Sequence, residues 1–187
     1  MPRLSLAFKL IILMVLTLSL KGCITTATVV GAAAGSLAVQ KAIRVQNMDS
    51  AIQGDPAAQA KVGTSYCCAG PGFSTQKATE WYCKAARQEY VPAFYALGRI
   101  YIGEVTRIPH PGLYIAAEAT SKKNLAVSLM WLQLAADGGS AKARRKIKAL
   151  EWNYKDAKVL FERASAEAAA KKENWRSQPC EYNKVFA

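Results

Sequence analysis

The strongest constraint on this chain is that it repeats itself. Ala58-Gln59-Ala60-Lys61-Val62-Gly63-Thr64-Ser65-Tyr66 realigns with Ala93-Phe94-Tyr95-Ala96-Leu97-Gly98-Arg99-Ile100-Tyr101, so that alanine, glycine and tyrosine recur at a spacing of 35 residues. Trp81-Tyr82-Cys83-Lys84-Ala85-Ala86 realigns with Trp131-Leu132-Gln133-Leu134-Ala135-Ala136 at a spacing of 50. The difference is an insertion of 15 residues between Tyr101 and Trp131, and it holds Ile108-Pro109-His110-Pro111-Gly112, which is loop chemistry. A unit of this length cannot bury its own apolar face, so the chain must stack one copy on the next.

Each half of the unit reads as a helix. Ala58, Val62 and Tyr66 fall at i, i+4 and i+8, as do Ala93, Leu97 and Tyr101. Ala78, Trp81, Tyr82, Ala85 and Ala86 fall at i, i+3, i+4, i+7 and i+8, one apolar stripe on a helix of 3.6 residues per turn. Gly63, Gly98 and the paired alanines let neighbouring backbones approach, and the aromatic rings fill the space beside them.

The pattern A-x4-G-x2-Y, a loop, then A-x2-W-Y-x2-A-A resembles the SEL-one-like repeat, a relative of the tetratricopeptide repeat. Ala58, Gly63, Tyr66, Ala78, Trp81, Tyr82, Ala85, Ala86 and Ala93 carry it first; Ala93, Gly98, Tyr101, Trp131, Ala135, Ala136, Gly139 and Ala143 carry it again. Glu89 stands where Gly139 stands in the second copy, and Ser128 replaces the alanine at 78. A third copy starts at Ala143, but Lys148 and Glu151 occupy its glycine and tyrosine positions. The resemblance implies an all-α fold, a short α-solenoid of antiparallel helix pairs with two full repeats over 55–152 and a capping region over 153–187. A closing helix is expected from about Asp156 to Lys172, with a polar outer face suited to a terminal cap. Trp175 to Cys180 leaves helix at Pro179 and loosely resembles the tryptophan-proline-cysteine ending of some envelope proteins with this repeat.

Ahead of the repeats, Arg3 and Lys9 precede an apolar run over Leu10–Leu20. Eleven helical residues rise only about 16 Å, too short to span a bilayer core and suited to a secretory signal over 1–22. Leu20-Lys21-Gly22-Cys23 resembles the lipobox of bacterial lipoproteins, although Lys21 occupies a site that usually holds a small uncharged residue. That resemblance implies cleavage before Cys23, acylation of its thiol and stable attachment to a membrane. Ile24 after the cysteine implies the outer membrane. The alternative is cleavage further on, after Ala34. With cleavage before Cys23, residues 23–54 are the lipidated cysteine and an apolar Gly/Ala tether leading into a polar stretch; Gly31 and Gly35 could also let two helices pack closely.

An oxidising compartment gives Cys67, Cys68, Cys83 and Cys180 reason to pair. A bond between the adjacent Cys67 and Cys68 is strained, and Cys83 is left to bond one of that pair or Cys180. A bond from Cys180 to the repeats would staple the tail onto the solenoid. Vicinal cysteines lack metal-ligand spacing, and His110, the lone histidine, has no nucleophile or orienting carboxylate set beside it. No cofactor, metal site or catalytic residue is therefore expected. Gly70-Pro71-Gly72 is turn chemistry, not a phosphate cradle.

The chain is 51% hydrophobic with a net charge of +12, which favours anionic partners. Lys142, Arg144, Arg145, Lys146 and Lys148 make a broad positive surface, a solvated face or a contact for acidic head groups or an acidic partner. Interleaved aromatics and a cytosolic address, which nucleic-acid binding would want, are missing. The expectation is a membrane-anchored interaction scaffold in the bacterial envelope, binding envelope proteins through its first helices at Lys61, Ser65, Tyr95 and Arg99, or through the insertion around Tyr114 and Ile115. The alternative expectation is a protein that binds or hydrolyses cell-wall fragments.

Overall fold

The computed structural model describes residues 38–67, 74–103 and 124–180. The chain divides into two units, 1–39 and 40–187. Of the first, only residues 38 and 39 are described, and both are helical. The expected signal, Cys23, Gly31, Gly35, Cys68, the Gly70–Gly72 turn, His110, Tyr114 and Ile115 all lie outside the described residues.

The second unit is helical, with no strand among the described residues. Its helices are α1 (40–52), α2 (Pro56–Tyr66), α3 (Thr75–Ala86), α4 (Val91–Tyr101), α5 (Leu125–Asp137), α6 (Ala141–Asn153) and α7 (Lys158–Glu173). Short polar side chains start most of them by accepting a first-turn N–H: Asp55 from Ala57, Ser74 from Lys77, Asn124 from Val127 and Ser140 from Ala143. Pro56 and Pro92 fall in the first turns of α2 and α4, where a missing N–H costs nothing.

The repeat is visible bond by bond. Ser74 N donates to Tyr66 O at 3.0 Å, and Asn124 N donates to Tyr101 O at 2.9 Å. The same hydrogen bond thus closes both hairpins, and the longer second connection leaves the hairpin as it is. Tyr90 N donates to Ala85 O, and Ser140 N to Ala135 O, at the turn between one hairpin and the next. That turn needs a left-handed residue, and the chain supplies Gly139 (φ 91°) once and Glu89 (φ 61°) once. The departure at Glu89 is therefore a change of residue and not of conformation.

Close approach explains the two repeated glycines. A Cβ on Gly63 would lie 3.0 Å from the Tyr82 ring and 3.2 Å from Ala78 O; one on Gly98 would lie 2.6 Å from Leu132 Cγ and 3.2 Å from Ser128 O. Tyr82 and Leu132, like Ala78 and Ser128, are repeat equivalents, so both hairpins nest through the same contact. α2 packs on α3, α4 on α5, and α3 and α5 pack on the hairpins that follow them. This is a short solenoid of antiparallel helix pairs. Ala58, Ala85, Ala86, Ala93, Tyr101, Trp131 and Ala135 are buried in it, while Tyr66, Trp81 and Ala136 are partly covered.

The third copy does not close. α6 buries only Ala143 and Leu150, and α7 lies against α5 instead of nesting on α6. Lys148 stands where Gly63 and Gly98 allow the partner helix to approach, and its side chain lines the gap that results. The closing helix begins two residues later than expected, after a 3-10 turn over Lys155–Ala157, and ends at Glu173. Its outer face is not wholly polar: Val159 is 70% exposed and Leu160 51%.

The tail returns to the core. Trp175 sits edge-on to Phe94 and Trp131, with ring centroids 5.3 and 6.0 Å away. Tyr101 Oη donates to Cys180 O at 2.5 Å. Cys180 is bonded to Cys83 of α3, with their Cα atoms 5.7 Å apart, so the tail is stapled to the first full hairpin. Cys67 is also disulfide-bonded. Arg176 pairs with Glu89 and Arg87 donates to Arg176 O, holding the same junction from outside.

Candidate functional site

The structure brings two of the four expected contact residues to one groove. It lies where α1, α2 and α4 meet, with a volume of about 260 Å³, and among its lining residues are Ile43, Thr64, Ser65, Tyr82, Ala96 and Arg99. Lys61 is exposed on α2 and Tyr95 is half-buried on α4, with Arg99 5.9 Å over its ring; neither lines the groove.

Ser65 requires correction as a contact residue. It is 1% exposed, its hydroxyl donates to Val62 O at 2.6 Å, and Arg44 of α1 donates to both its Oγ (3.3 Å) and its carbonyl (3.0 Å). The cause is α1, which belongs with the repeat unit and covers α2. Ala51, Ala58 and Val62 form a small core there, Gln59 Nε2 reaches Ala51 O at 3.1 Å, and Arg44 lies 3.8 Å over the Tyr66 ring. The compact unit that holds the repeats begins at residue 40 and includes 40–54.

The floor of the groove is polar but tied down. Thr64 Oγ1 donates to Ala60 O at 3.0 Å and shares a 2.9 Å hydrogen bond with the Tyr82 hydroxyl, in which either oxygen can donate. Burial pushes the Tyr82 hydroxyl above its ordinary 10.0, against the Thr64 bond and the Arg99 charge, which both lower it. Lys146 of α6 is held below its usual 10.5, first by burial and then by repulsion from Arg99. Arg99 and Lys146 thus put positive charge from two successive repeats at one place. Among the described residues that line the groove, Arg99 is the charged side chain, beside the hydroxyls of Thr64 and Tyr82.

Sequence reasoning missed a second opening, the cleft left by the unclosed third hairpin. It holds about 550 Å³ between α6 and α7, with Lys148, Trp152, Tyr154, Lys155, Lys158 and Phe161 among its lining. Trp152 is 70% exposed, and Lys155 stands 5.0 Å over its ring. The signal available was the lysine at the glycine position of the third copy.

Neither opening assembles reactive groups. Among the described residues no three His, Cys, Asp or Glu side chains gather as metal ligands, and no helix is long and apolar enough to cross a membrane. No family model, curated protein or solved structure matches this chain.

Proposed function

We propose that this chain is a lipid-anchored interaction scaffold of the bacterial cell envelope, built of SEL-one-like repeats and attached through Cys23 to the outer membrane, facing the periplasm. It binds a segment of an envelope protein and catalyses no reaction. The observation that carries the reading is the basic, aromatic groove at Tyr82, Ala96 and Arg99, made where stacked hairpins meet and held by a rigid frame. Solenoids use such surfaces to grip extended or helical segments. The Cys83–Cys180 bond supports an oxidising compartment, as the leader does.

Pull-down from cross-linked envelopes is the test. Wild type is expected to recover a specific protein, and Arg99→Glu to lose it while keeping its melting temperature within a few degrees. Equal recovery by both proteins, or turnover of peptidoglycan by the purified chain, would overturn the reading. Mass spectrometry of the mature amino terminus tests the anchor separately: diacylglycerol on Cys23 is expected.

A further inference from the structure

The five cations of α6 do not share one destination. Arg144 donates to Ala136 O at 3.2 Å, and Lys148 lines the cleft beside α7. Lys142, Arg145, Lys146 and Ala149 fall at i, i+3, i+4 and i+7, one row along the helix. At the repeat spacings that row becomes Pro92, Tyr95, Ala96 and Arg99 on α4, and on α2 it holds Lys61 and Thr64. Thr64, Ala96 and Arg99 meet in the groove, which joins the row of α2 to that of α4. Lys146, held down first by burial, is lowered further by Arg99, so the row continues from α4 to α6 with its cations close enough to repel.

The row carries one sign of charge. Its charged members are Lys61, Arg99, Lys142, Arg145 and Lys146, and none of its positions on the three helices is acidic. The described acids that flank α2, α4 and α6 are engaged elsewhere: Asp55 caps α2, Glu89 pairs with Arg176, Asp137 pairs with Lys172, and Glu151 lines the cleft beside α7. Nor does α6 gain from these cations. Lys142 and Arg145 lie near the positive end of its dipole, with no acid in the first turn to offset them. Lys61, Lys142 and Arg145 are exposed, whereas Tyr95, Ala96, Arg99 and Lys146 are half-buried. A chain one residue wide reaches both sets, and a flat surface meets only the exposed ones.

From this arrangement we infer that the row seats an acidic segment of the partner protein, laid across the first helices from α2 to α6 with its carboxylates on Arg99, Lys142, Arg145 and Lys146. The inference rests on the scaffold reading and adds the chemistry of the segment that the scaffold holds. Packed helices stand on the order of 10 Å apart. An extended chain rising about 3.3 Å per residue therefore crosses the three helices with roughly six residues. Tyr95 and Ala96 lie between the cation of α2 and those of α6, so a segment that alternates acidic with small apolar residues fits the row. Charge of one sign along the path also speeds the encounter and sets its direction.

Fluorescence anisotropy on the full chain tests it, at about 0.15 M salt. The probes are a short fluorescein-labelled peptide of alternating glutamate and alanine, and the same peptide with glutamine for glutamate. The glutamate peptide is expected to bind about tenfold tighter. Exchanging Lys142 and Arg145 together for glutamine is expected to weaken it about tenfold. Exchanging Arg144 and Lys148 together removes the same charge from outside the row and is expected to change binding less than twofold. All four side chains are on exposed residues, so the fold is kept, and circular dichroism checks it. Equal losses in the two double variants, or equal binding of the two peptides, would overturn the inference. So would binding of phosphatidylglycerol vesicles in place of the peptide, which would give the row to a membrane. An envelope protein lost by Arg99→Glu but kept by the Lys142→Gln, Arg145→Gln variant overturns the inference and leaves the scaffold reading standing. A chain that binds the glutamate peptide yet recovers no envelope protein overturns the scaffold reading alone.

Discussion

Ser128 donates its hydroxyl hydrogen to the carbonyl of Gly98, 2.7 Å away, at the point where α4 and α5 come closest. Its repeat equivalent, Ala78, makes no such bond, so the second hairpin carries both a tighter glycine contact and an added clamp. Gly98→Ala is expected to cost about 1–3 kcal/mol by overpacking against Leu132. Gly63→Ala is expected to cost less, because the Tyr82 ring it meets is 3.0 Å away and can tilt. Ser128→Ala should cost about 1 kcal/mol, since Gly98 O keeps its bond from Ile102 N. Urea melts of the three variants would check that order; a Gly63→Ala loss larger than that of Gly98→Ala would contradict it.

The turn glycine makes a different prediction. Nothing lies within 4 Å of a Cβ built on Gly139, so only its backbone angle resists a side chain. Gly139→Ala should destabilise the chain by about 1 kcal/mol, and Gly139→Asn by less, because asparagine tolerates the left-handed region. Thermal melts of the pair decide it.

Reducing the Cys83–Cys180 bond releases a loop of 97 residues in sequence separation, for which chain entropy gives a stabilisation of about 4–5 kcal/mol. Cys180→Ser is expected to lower stability by about 2–4 kcal/mol, part of the entropic figure being offset by residual structure in the unfolded chain. Trp175 should leave the Phe94–Trp131 cluster more readily, so its emission should shift to the red in the reduced protein well below the main unfolding transition. Coincident transitions in reduced and oxidised protein would refute this.

Tyr82 gives the alkaline limb of the stability curve. Its hydroxyl is raised in the folded chain, so the folded state holds the proton to higher pH than the unfolded state does. The associated stabilisation is complete below the ordinary 10.0 and is lost as the pH climbs through the folded value. Tyr82→Phe should flatten that decline, while the lost bond to Thr64 costs about 1 kcal/mol near neutrality. Denaturant midpoints at neutral pH and at successive pH values above the ordinary tyrosine range, for both proteins, measure the difference.

Spacing alone made the two hairpins legible, because Gly63 and Gly98 stand where a side chain would press on the facing helix. It also placed the tail staple among its alternatives. The helix α1 was not legible, since few of its apolar side chains, Ile43, Met48 and Ala51 among them, turn toward the repeats, and polar groups such as Arg44 and the Ala51 carbonyl help to bind it. Ser65 was misplaced for the same reason: a small polar residue at a helix end looks exposed until another helix lies over it. The open third hairpin was half visible. Lys148 was recognised as a departure, but α7 packs on α5, a choice between two neighbouring helices that no single helical stripe encodes.

The bond between Cys83 and Cys180 sets a ruler on the protein. An array of this kind ordinarily grows by duplicating a hairpin, and each added pair would carry the tail one layer further from α3. Here Cys180 must reach back to α3, so an inserted hairpin would pull it out of reach and strand Trp175 from its ring partners. The number of repeats is therefore held by a covalent clasp, and lineages that keep both cysteines should vary the length of the connection between α4 and α5 but never the count of hairpins it joins.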